Sequence, residues 1–420
     1  MRNNFFVIVL FFLSGCDTGN NVDPVYQDYF IKYFGGAGDQ RGADLLVNED
    51  GSMILLGNSI APSGIYTAFI TKVNRYGNVM WERQLGDVNE TAVDIELIKS
   101  GSQAGNLIVA TNIGVEANSR IRILRLNQDG TGIDSVIVPL HENGVKQVAT
   151  TVTSLVNDPG YVVSGYADKN LIQETLPVSD DNDQQDILVF KFDESLTFLG
   201  KVLNKGGEKK GAGIKTFEWD GGITDRLVVF GFSDKPLPTE ASDGLFELNY
   251  TYDAPEYGIP TATGDIVGTP SEEELLATVI QTTSPNGFLL AGTSRTPGNS
   301  SGDIYLVEYN SSFEVKNLDV KIDLGRSLEC VAADNTPSSG YYILGNETTL
   351  SGLKDLALIK VSYDGQAEWI RNFGTAQGED TSAAIATLPD GRIAIVGTME
   401  LATNKKLALV VLNNRGGLTK

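Results

Sequence analysis

The chain is patterned in short apolar runs, most of them closed by glycine. Residues 52–57, 161–165, 227–231, 288–292, 341–345 and 392–397 each place β-branched, aromatic or leucine side chains ahead of a Gly, and 106–111 keeps the pattern without it. Runs this short and this rich in β-formers predict strands, not helices. A second, near-continuous apolar run follows at 68–73, 121–126, 187–192, 304–309 and 356–361. Strands apolar on both faces are covered on both faces, as when each sheet packs between two others.

Two further strand types complete the unit. Residues 43–47, 92–98, 149–156, 276–280, 330–333 and 383–386 are rich in Ala, Thr and Ser, which suits the innermost strands of sheets that converge on an axis. Residues 81–86 and 369–374 carry Trp and charged side chains, as an outer edge does. The whole unit recurs about seven times at a spacing of roughly fifty to sixty residues. The expected fold is therefore all-β: a seven-bladed β-propeller of four-stranded blades, one domain over residues 28–420. The last copy stops after its third strand at 407–412, while 29–35 matches the outer-strand pattern with no blade before it. An N-terminal outer strand joining the C-terminal blade is expected to close the ring.

The first residues stand outside this pattern. Arg2 precedes an apolar run of nine residues, Phe5 to Leu13, and Leu13-Ser14-Gly15-Cys16 follows at once. The run is too short for a mature membrane span, which needs about 20 apolar residues. The four-residue motif resembles the lipobox of bacterial lipoproteins. That resemblance implies a signal peptide over residues 1–15, cleavage before Cys16 and acylation of Cys16, with 16–27 as a polar tether. Several acyl chains, at about 0.8 kcal/mol per buried CH₂, make a stable membrane anchor.

A second resemblance concerns the repeat. Gly378-Glu379-Asp380-Thr381-Ser382-Ala383, followed by Leu388-Pro389-Asp390-Gly391-Arg392-Ile393 and Val396-Gly397, resembles the bacterial delta-60 type of propeller repeat. Asn48-Glu49-Asp50-Gly51-Ser52 with Gly57 resembles another copy. The resemblance extends over most of the chain after the tether and is poorest between residues 196 and 270. It implies an extracytoplasmic propeller and no defined activity.

Charge and rare residues narrow the partners. A formal charge of −22 repels phosphate backbones, which excludes nucleic acid, and it disfavours anionic membrane surfaces. Of the two cysteines, Cys16 is assigned to lipid and Cys330 sits alone in an apolar strand, so no intrachain disulfide is expected. The single histidine, His141, cannot build a multi-histidine zinc site. No cofactor is expected beyond a candidate Ca²⁺ site among Asp180, Asp181, Asp183 and Asp186, whose oxygens are hard ligands in a loop without the Gly and distal Glu of a calcium loop.

Loop lengths single out one face. The second-to-third strand connections at 167–186, 233–243, 293–303 and 346–355 are long, whereas the opposite face carries tight turns such as Glu49-Asp50-Gly51 and Pro389-Asp390-Gly391. Asp39, Asp44, Asp87, Asp94, Glu379 and Asp380 recur near the start of inner strands and are candidates for a ring around the axial channel, with Tyr166 as a candidate aromatic contact. The competing account is structural, with these acids accepting from backbone N–H groups. Binding is favoured over catalysis. The leading expectation is a monomeric, lipid-anchored envelope propeller, in the outer membrane, that acts as a protein-binding scaffold for an envelope partner. The alternatives are a polysaccharide-binding or polysaccharide-processing surface lipoprotein, which needs convergent carboxylates held in opposed environments, and a structural or adhesive surface protein.

Overall fold

The computed structural model describes residues 28–86, 89–114, 119–138, 146–156, 159–168, 185–208, 215–220, 225–233, 244–251, 266–267, 272–283, 286–299, 301–310, 315–402 and 404–419. The signal, Cys16 and the tether lie outside these residues. After a first strand β1 (Phe30–Phe34), sheet I holds β2 (Asp39–Val47), β3 (Met53–Ile60), β4 (Tyr66–Val73) and β5 (Val79–Leu85). Sheet II holds β6 (Glu90–Leu97), β7 (Leu107–Ile113), β8 (Arg120–Leu126) and β9 (Asp134–Ile137). Sheet III holds β10 (Gln147–Ser154), β11 (Gly160–Asp168), β12 (Gln185–Asp193) and β13 (Phe198–Glu208). Sheet IV holds β14 (Lys215–Asp220), β15 (Asp225–Ser233), β16 (Gly244–Thr251) and β17 (Ile266–Val267). Sheet V holds β18 (Glu273–Thr283), β19 (Asn286–Arg295), β20 (Asp303–Asn310) and β21 (Val315–Ile322). Sheet VI holds β22 (Ser327–Asn335), β23 (Tyr341–Thr348), β24 (Lys354–Val361) and β25 (Ala367–Phe373). Sheet VII joins β26 (Thr381–Thr387), β27 (Ile393–Leu401) and β28 (Asn404–Leu412) to β1.

This is an all-β propeller of four-stranded antiparallel blades. Sheet VII is built from both ends of the chain: β1 lies on β28 with Phe30 opposite Val411 and Phe34 opposite Leu407. The cores lie between sheets, which is why the middle strands are apolar on both faces. Ile54, Leu56 and Ile70 of sheet I pack with Ile95, Val109 and Leu124 of sheet II. Phe34, Val396 and Leu409 of sheet VII pack with Leu45, Leu55 and Phe69 of sheet I. The β2–β3 and β4–β5 types of connection share one face, the turn face, and the β3–β4 type opens on the other, the loop face. Outer strands β5 and β25 carry the expected Trp81 and Trp369.

The inner strands begin earlier than the small-residue pattern suggests, at Asp39, Glu90, Gln147 and Thr381. The reason is a β-bulge at the same place in six inner strands: at Gly42/Asp44, Ala92/Asp94, Ala149/Thr151, Leu276/Thr278, Cys330/Ala332 and Ser382/Ala384. One extra residue shifts the alternation of side chains, so the polar residues ahead of the bulge read as loop. The second strands run past the glycine expected to close them, as β3 does to Ile60 and β27 to Leu401, and the bulge explains why glycine stands there. A Cβ at Gly345 would lie 2.6 Å from the Glu329 carbonyl oxygen, and one at Gly397 would lie 2.7 Å from that of Thr381. β14 pairs with β15 in unbroken register, and its sequence, with Phe217 and Trp219, lacks the small-residue pattern.

At five of these six bulges the neighbouring sheet supplies an acceptor for a backbone N–H at the bulge. The residue after the second-strand glycine, or after its Thr111 equivalent, performs this. Asn58 Oδ1 accepts from Ala92 N at 2.7 Å, Asn112 Oδ1 from Ala149 N at 2.8 Å and Asn346 Oδ1 from Ser382 N at 2.8 Å. Thr293 Oγ1 accepts from Cys330 N at 2.9 Å, and Thr398 Oγ1 from Gly42 N at 3.2 Å, the last joining sheet VII to sheet I. Tyr166 and Phe232 occupy this position in sheets III and IV. Thr398 is buried, so Thr398→Val, which keeps the shape and removes the acceptor, leaves the Gly42 amide unsatisfied. The expected cost is about 1–3 kcal/mol, read as a lowered urea midpoint with an unchanged slope.

Candidate functional site

The sequence-predicted acids do not form one ring. Asp94 reaches the axis, together with Asp44. Asp39 instead accepts from Lys405 N at 2.9 Å, tying the start of β2 to β28. Asp380 is fully buried and accepts from Glu400 N at 2.7 Å and from Thr375 N, while the Glu379 amide donates to Glu400 Oε2 at 2.9 Å. Tyr166 is a buried residue of β11, opposite Val148 and Ile187, and not a loop-face aromatic. Asp87, Asp180, Asp181, Asp183 and His141 lie outside the described residues, and Asp186 is placed only as backbone in β12. Among the described residues no group of three or more His, Cys, Asp or Glu stands where it could hold a metal ion.

Along the axis the inner strands enclose a cavity of about 280 Å³, lined by bulge residues such as Ala43, Val93, Val331 and Ala383 and by Asp44, Asp94 and Glu96. The carboxylates are committed to neighbouring strands. Asp44 Oδ2 accepts from Ile95 N at 2.9 Å, and Asp94 Oδ2 from Val152 N at 2.7 Å and Thr151 Oγ1 at 2.6 Å. Glu96 accepts from Ser154 N, and Asp334 Oδ2 from Thr387 N at 2.5 Å. Burial pushes the carboxyls of Glu96 and Asp334 up against these stabilising bonds. The axial acids therefore act as sheet-to-sheet clamps, with neighbouring inner strands, rather than loops, supplying the N–H groups.

A different cluster gathers on the loop face between sheets V and VI. Glu272 before β18, Asp303 at the start of β20, Lys321 at the end of β21, and Asp323 and Arg326 in the loop to β22 line a cavity of about 330 Å³. Its walls are polar, with Asn299 and several serines and, among the described residues, no aromatic side chain. Glu272 Oε2 accepts from Lys321 and, at 2.6 Å, from Ser294 Oγ. Arg295 pairs with Glu273 at 2.7 Å and Arg326 with Glu347 at 2.8 Å, so both cations are already matched. Asp323 Oδ1 accepts from Gly325 N at 2.7 Å.

These partners drive the carboxyls apart. Glu272 is held below the usual range by its hydrogen bonds from Lys321 and Ser294. Asp303 is raised, first by burial, then by the Asp323 charge, with Lys321 opposing and Glu272 adding. Sequence reasoning missed this site because its residues come from strand ends of two sheets. One signal pointed to it: the long connections end on Asp186, Asp243, Asp303 and Asp355, an acid repeated at the start of third strands.

The chain matches no protein-family model and no curated protein. Among solved structures it is similar to Sqt1 of Chaetomium thermophilum bound to the N-terminus of the ribosomal protein L10, at 10% identity over 92% of this chain and 100% of that one, with a TM-score of 0.49. It is also similar to the GH93 α-L-arabinofuranosidase of Fusarium graminearum in complex with arabinobiose, at 9% identity over 93% and 100%, TM-score 0.44. A third similarity is to the acylaminoacyl peptidase of Pyrococcus horikoshii, at 12% identity, covering 88% of this chain and 51% of that one, TM-score 0.47. The chain thus spans about half the length of the peptidase. Likenesses at this level carry neither activity nor ligand to this chain.

Asp303 and Glu272 should leave opposite marks on stability. A raised carboxyl costs the fold when ionised, and the cost is relieved as pH falls and the group protonates in the folded state first. A lowered carboxyl stabilises above its unfolded pKa, near 4.3 for Glu, and that contribution is lost as pH falls through the folded value. Asp303→Asn is therefore expected to raise the urea midpoint at pH 7, with the gain shrinking toward about pH 4. Glu272→Gln is expected to lower the midpoint at pH 7, with the loss disappearing in stronger acid.

Proposed function

We propose that the chain is a lipid-anchored, extracytoplasmic propeller of seven blades, its ring closed by β1 on β28, that acts as a protein-binding scaffold in the cell envelope, at the outer membrane. The observation that carries the binding assignment is the cleft between sheets V and VI. It is recessed, on the loop face, and among the described residues it leaves Asp303 and Asp323 without a cation of their own once Lys321, Arg295 and Arg326 are matched to Glu272, Glu273 and Glu347. An uncompensated carboxylate pair in a polar recess suits a basic side chain of a polypeptide, and the overall charge of −22 favours approach of a basic partner.

The rim adds an apolar contact. Leu350 is fully exposed at the tip of the β23–β24 connection, where Thr349 N donates to Leu353 O at 2.8 Å and Gly352 N to Thr349 O at 2.9 Å. That turn leaves β23 just past Glu347, the partner of Arg326 in the cleft wall. A held turn presents Leu350 with little ordering cost on binding.

The second reading, a polysaccharide ligand in the same cleft, is favoured by the opposed states of Glu272 and Asp303. Two features weigh against it. Among the described residues the lining has no aromatic face for a sugar ring, and hydrolysis needs two available carboxyl groups, whereas Glu272 is committed to Lys321 and Ser294.

Cross-linking in intact cells tests the choice. A partner captured through Lys354, on the loop face beside Glu329 at 2.7 Å, is expected to fall by about tenfold, equal to ~1.4 kcal/mol, in Asp323→Lys and again in Leu350→Asp. Both variants alter exposed loop positions and leave the sheets intact. A well-expressed protein that captures no partner yet is retarded on a polysaccharide affinity gel would replace the scaffold reading with the glycan one.

A further inference from the structure

The turn face carries a feature that the loop-face site does not use. Among the described residues, eleven large apolar side chains are exposed. Most of them stand on the turn face. Val79 and Met80 open β5 of sheet I, and Ile133 immediately precedes β9 of sheet II. Val156 follows β10 and Phe198 and Leu199 open β13, all in sheet III, while Leu418 follows the turn after β28 of sheet VII. Sheets VII, I, II and III are consecutive, so these residues form one sector of the disc. Its rims abut: a Cβ at Gly130, in the β8–β9 turn, would meet the half-buried Trp81 ring of β5 at 2.9 Å.

The chain enters the fold on this same face and in this same sector. Arg392, buried beside the β26–β27 turn, donates to the Asp28 carbonyl at 2.7 Å and to the Arg75 carbonyl at 3.2 Å. Lys32 donates to the Tyr76 carbonyl at 2.7 Å. Asp28 is thereby fixed among the tight turns, only twelve residues beyond Cys16. Twelve residues reach at most about 40 Å in any conformation. The nine residues of β2 span about 30 Å from face to face, so resting the loop face on a bilayer would consume most of that reach, and resting the turn face consumes none.

We propose that the turn-face sector of sheets VII, I, II and III sits against a lipid bilayer surface, with Val79, Met80, Phe198 and Leu199 at the headgroup boundary, and that the loop face with its cleft points away from the membrane. This rests on the anchoring of Cys16. Side chains of this kind, with a Trp at their edge, suit the interface between headgroups and acyl chains. The high negative charge of the chain favours zwitterionic over anionic lipid. The orientation gives the cleft between sheets V and VI free access to partners that are not in the same membrane.

The test uses the full-length acylated protein in vesicles of phosphatidylcholine and phosphatidylethanolamine. Single exposed cysteines are introduced as Val79→Cys, Leu199→Cys and Leu350→Cys and labelled with an environment-sensitive fluorophore. Cys330 does not compete, because it is buried and burial pushes its thiol up to about 12. Nitroxide carried on the phosphatidylcholine is expected to extinguish most of the emission at Val79→Cys and Leu199→Cys and to leave Leu350→Cys unchanged. Acylated, vesicle-bound protein in which the Leu350→Cys label is quenched equally, or in which none is quenched, overturns the orientation and leaves the anchor standing. Mass spectrometry that finds no acyl chain on Cys16 overturns the anchor, and the orientation with it.

Discussion

Sheets that meet at an axis must bring their inner strands close together, and six of the seven inner strands bend by carrying one residue too many. That bulge is the constraint on which the rest of this structure depends. It frees an N–H at Gly42, Ala92, Ala149, Cys330 and Ser382, and each is satisfied from the preceding sheet by Thr398, Asn58, Asn112, Thr293 or Asn346. A buried N–H without a partner costs more than an ordinary hydrogen bond gains, so the bulge makes each sheet dependent on its neighbour. The same bulge brings a carbonyl to the spot where a Cβ would stand at Gly345 and Gly397. Glycine and its polar successor are thus two halves of one device.

The device also decides what the acids do. With inner strands packed this closely, Asp44, Asp94 and Asp334 lie within reach of the next strand's amides and bond to them. Their oxygens are spent on architecture, which removes the axis as a place for chemistry. Functional freedom passes to the strand ends, where the chain leaves the sheets and neighbouring blades diverge. The cleft between sheets V and VI sits at such a junction, with the Thr293 to Cys330 clamp beneath it. Its floor is held by the inter-sheet bond while its rim is made of loops, an arrangement suited to a preformed recess.

The strand order was legible because it rests on local pattern. The apolar runs at 52–57, 341–345 and 392–397 appear as β3, β23 and β27, and Trp81 and Trp369 mark outer strands as their composition suggests. The pairing of the orphan 29–35 segment with the last strands was also readable, since β28 lacked a partner and β1 matched the missing pattern. Of sheet IV only the second strand, 227–231 within β15, was legible. Its inner strand carries Phe217 and Trp219 in place of small residues, so no local rule marks it as axial. The acids misled for a related reason: Asp39 and Asp380 stand ahead of the bulge residues Ala43 and Ala383 whereas Asp94 follows Val93, so acids that all lie near the start of inner strands end at a strand end, in the interior and at the axis.

The sequence by itself determined the class of fold, the repeat and its strand types, and a face with longer connections, since periodicity, composition and turn chemistry act over a few residues. Tertiary structure alone decided which polar groups are occupied and which are free. Whether Asp303 faces a cation, whether Tyr166 is buried, and whether Val79 and Leu199 share a face depend on distances between residues far apart in the chain. Those distances are set by how the blades converge, and convergence depends on the bulges of six inner strands and the five side chains that clamp them, which no local pattern reveals.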